Sequence, residues 1–110
     1  MNTVEILRAA RDKIAAPGGW TRLANARDAR GTRVPSQSPR AVCFCAIGAI
    51  GSQVELFGEE FWKAAKKVEE VIQGIGYHRI PDWNDHPSRT QEEVVEIFDR
   101  AIFNAKGGKL

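Results

Sequence analysis

Between Ala41 and Gly51 the chain reads Ala-Val-Cys-Phe-Cys-Ala-Ile-Gly-Ala-Ile-Gly, an almost unbroken run of small and apolar residues. The run is far too short to span a bilayer, so it must be buried in protein. Ser38-Pro39, just ahead of it, combines a hydroxyl N-cap with a proline suited to a first helical turn. These signals predict a helix over about 39–50. A helix that is apolar on all sides belongs at the centre of a fold. Ala46, Gly48 and Ala49 carry little bulk, which lets neighbouring segments approach closely. A mid-helix glycine costs up to roughly 1 kcal/mol against alanine, and a close contact at Gly48 is the expected compensation.

The rest of the chain supplies partners for such a helix. Asn2 and Glu5 have capping-box spacing, and Ile6, Leu7, Ala10 and Ile14 share one face, so a first helix is predicted from Thr3 to Ala16. Pro17-Gly18-Gly19 ends it. A weaker helix is predicted over Trp20 to Ala29, then a polar loop to Ser38 in which Thr32-Arg33-Val34 can be extended. Phe61, Ala64, Ala65, Val68 and Ile72 mark a helix from Glu59 to Ile72, stopped at Gly74 and Gly76. Tyr77 to Ser88 reads as irregular. Thr90 and Glu93 form a second capping box, opening a last helix from Gln91 to Lys106. The expected fold is all-α: one compact orthogonal bundle of four to five helices around the small-residue helix, with residues 1–110 as a single domain.

Charge and cysteine usage narrow the function classes. A net charge of +2 is too small to argue for nucleic acid by itself. Its distribution is uneven, with Arg22, Arg27, Arg30, Arg33 and Arg40 against the single acid Asp28. That Arg22–Arg40 segment reads first as a solvated loop, and as an alternative it could take nucleic acid or another polyanion. Met1 to Glu5 lacks the pattern of a signal peptide, and two reduced cysteines suit a cytoplasmic protein with no membrane association. On a helix, Cys43 and Cys45 would point to different faces and could not bridge.

Trp83-Asn84-Asp85 is the foremost candidate site, extended to His86 and to Arg27 and Arg40 of the arginine segment. These polar residues can bind a ligand or partner in a cleft, or simply satisfy backbone donors in a turn before the last helix. Cys45 with His78 and Asn84 or Asp85 could form a nucleophile, base and orienter, the basis of a small cysteine-dependent hydrolase or transferase. A thiol two turns inside an apolar helix argues instead for an inert core residue. Cys43, Cys45, His78 and His86 lack the paired spacing of a metal site, and no cofactor motif is present, so neither metal nor cofactor is expected. Trp62, beside the Phe61 stripe, reads first as a core-packing residue and is an interface candidate only if half-exposed.

Four blocks carry a resemblance: Pro17-Gly18-Gly19-Trp20; Ala26-Arg27-Asp28-Ala29 followed by Gly31; Phe44 to Ile50; and Trp83-Asn84-Asp85 leading into Thr90 and Phe98 to Ile102. On these the chain resembles a small uncharacterised family, a domain of unknown function met in soil actinobacteria, alphaproteobacteria and their phages. The resemblance implies one intact domain and brings no activity with it; recurrence in phages hints at regulation or host interference. The resulting expectation is a non-catalytic binding or regulatory module acting on a protein or small ligand, with nucleic acid and a homodimer left open as partners.

Overall fold

A computed structural model describes residues 1–108. Three long helices form its frame: α1 (Thr3–Ala15), α3 (Glu59–Gln73) and α5 (Gln91–Ala105). Both capping boxes are made, Asn2 with Glu5 at the start of α1 and Thr90 with Glu93 at the start of α5. α1 and α3 each pack against α5, and the apolar stripes read from the sequence meet there as Ile6, Leu7, Phe61, Val68, Val94 and Phe98, all buried. Two short helices complete the set, α2 (Ala46–Gly51) and α4 (Ile80–Asn84). None of the described helices is long and apolar enough to cross a membrane.

The fold is helix-rich without being all-α. A three-stranded antiparallel sheet, β1 (Ala26–Arg27), β2 (Arg33–Val34) and β3 (Cys43–Phe44), runs in the order β2-β1-β3. Ala26 pairs with both Val34 and Phe44, and Arg27 with both Arg33 and Cys43. The β1–β2 turn is closed by Asp28, whose carboxylate accepts the amides of Arg30 and Thr32, and by Gly31 at φ +82°.

This sheet overturns two helix expectations. No helix forms over Trp20 to Ala29. Leu23 sits at φ +64°, outside the right-handed helical region, and the Thr21 amide donates to the Phe44 carbonyl instead of to a helical partner. The helix expected over about 39–50 also shrinks to Ala46–Gly51. Val42, Cys43 and Phe44 favour extended backbone, and β1 offers them a ladder that no local helix could match. Ser38-Pro39 starts a turn, closed by Ala41 N–H to the Ser38 carbonyl at 3.1 Å. Cys43 and Cys45 therefore flank Phe44 in extended chain, not on a helix, and both thiols are free.

The shortened α2 is nonetheless central, packed against α1, α3 and α4. Gly48 does carry the close contact: a Cβ there would lie 1.7 Å from the Asn25 carbonyl oxygen. Backbone of the segment before β1 thus rests directly on α2. Tyr77 to Ser88, read as irregular, contains the single-turn helix α4 with Pro81 in its first turn.

Candidate functional site: a cleft beside the Trp83 helix

The polar centre of the molecule is Asn84, only 1% exposed at the end of α4. Its Oδ1 accepts the Trp20 indole N–H at 2.9 Å and the Ala46 amide at 3.0 Å. Its Nδ2 donates to the Thr21 carbonyl at 3.2 Å and to Asp85 Oδ1 at 2.9 Å. That fills the hydrogen-bonding capacity of the side chain, two acceptances and two donations. Asp85 Oδ1 also accepts the Leu23 amide at 3.0 Å. Arg89, buried behind Trp83, donates from Nε to the Trp83 carbonyl at 2.9 Å, and its own carbonyl accepts from Arg22. The start of the arginine segment and the Trp83 segment are therefore joined, through Thr21, Arg22 and Leu23.

Beside this junction lies a cleft of about 500 Å³. It is lined by Cys45, Ile47 and Asn84 and by Leu23 to Asn25. Phe57 and Trp62 also line it, and their rings stack with centroids 5.7 Å apart and planes 26° from parallel. Trp62 is 48% exposed and so is not the core residue that its place beside the Phe61 stripe first suggests. Ile80 and Pro81 of α4 complete the apolar lining, and the charged residues Arg79, Glu69 and Asp85 also line the cleft, together with Arg33 from β2. The size is that of a small-molecule pocket.

Leu23 and Phe57 share two unusual properties. Each has φ +64°, a left-handed backbone that only glycine adopts freely, and each exposes more than half of a large apolar side chain. Both line the same cleft.

Cys45 is the N-cap of α2, not a residue two turns inside a helix. Its sulfur accepts the Gly48 amide at 3.3 Å, and its thiol faces Asn25 Oδ1 at 3.9 Å. Burial, with a smaller push from the nearby Asp85 charge and against the lowering pull of the Gly48 amide, holds the thiol up at about 11. The thiolate, the form that attacks, is therefore scarce near neutral pH. Neither His78 nor His86 lines the cleft; His78 is exposed, and His86 Nδ1 accepts the Ser88 amide at 3.1 Å. Among the described residues no cluster of His, Cys, Asp and Glu could hold a metal ion. Incubation with iodoacetamide at pH 8 should label half-buried Cys43 well before Cys45, as read by peptide mass spectrometry. Fast labelling of Cys45 in the folded protein would contradict this placement.

The remaining sequence candidates are dispersed. Arg27 spans the loop below the sheet, donating to Thr21 Oγ1 at 3.1 Å, the Gly31 carbonyl at 3.0 Å and the Arg22 carbonyl at 3.1 Å. Arg40 is exposed beside Arg30 and Asp28 at a separate surface depression, outside the cleft. Two of the five arginines, Arg22 and Arg27, are thus occupied in holding the chain. Sequence reading missed Leu23, Phe57, Glu69, Arg79 and Arg89. A left-handed leucine leaves no local signal, and the charged residues are typical of any solvated helix or turn.

Residues 1–104 match a family of unknown function (DUF6197), and the chain belongs to that family. No curated protein and no solved structure gives a significant match.

Proposed function

We propose that this member of the family is a binding module whose cleft beside α4 receives the planar apolar part of a small molecule, and that it acts without a catalytic set of its own. The observation that carries the reading is the pair of left-handed bulky residues, Leu23 and Phe57, that line the same cleft. A left-handed conformation costs a non-glycine residue roughly 1 kcal/mol or more. Exposing the Leu23 side chain from such a position gains the fold little, whereas Phe57 also packs edge-on against the buried Phe61, with ring centroids 5.3 Å apart. The cost is explained if both side chains serve a ligand. The neighbouring aromatic plate of Phe57 and Trp62 offers a flat surface for stacking. The two free thiols support a reducing, cytoplasmic setting as part of the same reading.

Leu23→Gly tests it. Removing the left-handed strain should stabilise the fold by about 1 kcal/mol, since little packing is lost from a side chain so exposed. The same substitution should weaken binding of a simple planar probe, indole, followed through amide shifts of Asn25 and Ile47 in NMR titration. A variant that is more stable and binds indole as well as the parent would remove the functional reason for Leu23. Absence of any cleft shift with millimolar indole would end the proposal.

A further inference from the structure

The charged groups of the cleft identify a narrower class of ligand. Arg33, Arg79, Glu69 and Asp85 all reach it, two cations and two anions. Among the described residues none of the four forms an ion pair. Asp85 is half engaged: Oδ1 takes the Leu23 amide and the Asn84 Nδ2, while Oδ2 has no partner among the described residues. Charged side chains lining a pocket and left unpaired are poised for groups of opposite sign on a ligand.

Their placement is directional. Trp62 and Glu69 are seven residues apart on α3, hence on one face and about 10 Å apart along the axis. The stacked Phe57–Trp62 plate and Glu69 therefore line the cleft about 10 Å apart, and Arg79 and Asp85 flank α4 on its lining. A ligand filling this length has an aromatic body at the plate and a polar group toward Glu69. A purely anionic head would meet the arginines but leave Glu69 and Asp85 facing it; a purely cationic head has the converse problem. From this charge complementarity, and resting on the binding reading above, we infer that the cleft takes an amphoteric aromatic small molecule. Such a ligand carries an acid for the arginines and an amine for the carboxylates. The volume of about 500 Å³ suits one such molecule.

Four compounds with the same ring separate this inference from the reading beneath it: tryptophan with both charges, indole-3-acetate with the acid, tryptamine with the amine, and indole with neither. Binding to the full chain is measured by calorimetry at neutral pH, with amide shifts locating each compound. Tryptophan should bind about threefold more tightly than either singly charged compound, a ratio within the range of a solvent-accessible ion pair. Glu69→Gln and Arg79→Gln should each lower tryptophan affinity about threefold and leave indole affinity unchanged; both side chains are at the surface of the cleft, and unaltered melting curves verify the fold. Indole or a singly charged compound binding as tightly as tryptophan would overturn the amphoteric assignment while leaving the binding cleft intact. Failure of all four to shift the cleft amides would overturn both.

Discussion

Asn84→Ala is expected to lower the stability of the fold by about 3 kcal/mol. The substitution removes the one side chain that Trp20, Thr21, Ala46 and Asp85 all share. The Ala46 amide is fully buried and would be left without its acceptor, which alone costs roughly 1–3 kcal/mol. Trp20 is only half-buried, so water can recover part of its lost bond, as it can near Thr21. These losses therefore do not simply add. About 3 kcal/mol is nonetheless a large share of the 5–15 kcal/mol that holds a typical domain together. In urea it should appear as a fall in midpoint with little change in slope, and on heating as a melting temperature lower by roughly 12 °C. Asn84→Asp makes the comparison sharper. It retains an acceptor for Trp20 and Ala46 but loses the donation to Thr21 and sets a second carboxylate against Asp85, so it too should be destabilised. A loss below about 1 kcal/mol in the alanine variant would mean that water replaces the junction, and that Asn84 is retained for something other than the fold.

What could be read from the sequence follows the range of the interactions. α1, α3 and α5 were legible to within a residue because caps and apolar periodicity are local: Asn2 acts on Glu5, Thr90 on Glu93, and Phe61 to Ile72 repeat along one helix. Of Trp20 to Cys45 only the extended piece at Thr32-Arg33-Val34, now β2, was legible; the rest is set by pairing across the chain. Phe44 bonds to Gly19 and Thr21, and Ala26 lies between Val34 and Phe44. In isolation Val42-Cys43-Phe44 continues the apolar run into a helix; beside β1 it is a strand. The same holds for the site. Trp83-Asn84-Asp85 stood out by residue type; Asn84 and Asp85 line the cleft, while Trp83 is a fully buried core residue outside its lining. The features that give the cleft its character did not stand out: Leu23 and Phe57 are ordinary residues in an unusual backbone, and Glu69 and Arg79 acquire meaning only where α3 and α4 converge.

Gly48 tests that convergence at its tightest point. In an exposed helix a glycine-to-alanine change gains up to about 1 kcal/mol. In α2 it should instead cost about 3 kcal/mol or more, because the added methyl would sit 1.7 Å from the Asn25 carbonyl oxygen and 2.6 Å from its carbon. Those atoms are backbone, and they have no free direction in which to move. The Asn25 carbonyl accepts the Cys45 amide at 3.2 Å, and the next residue, Ala26, is held by strands on both sides. Retreat of Asn25 would therefore break the Cys45 bond and pull on the centre of the sheet. Gly51, three residues on, is the internal control. A methyl there meets the Leu56 Cδ1 at 2.7 Å, the end of a side chain that can rotate away. Gly51→Ala should cost under about 1 kcal/mol by urea denaturation, and Gly48→Ala several times more. Because Asn25 also lines the cleft, a folded remnant of Gly48→Ala at low temperature should bind indole more weakly than the parent. Equal stability of the two alanine variants would show that the backbone of Asn25 yields without cost, and that α2 and the strand before it are not locked together.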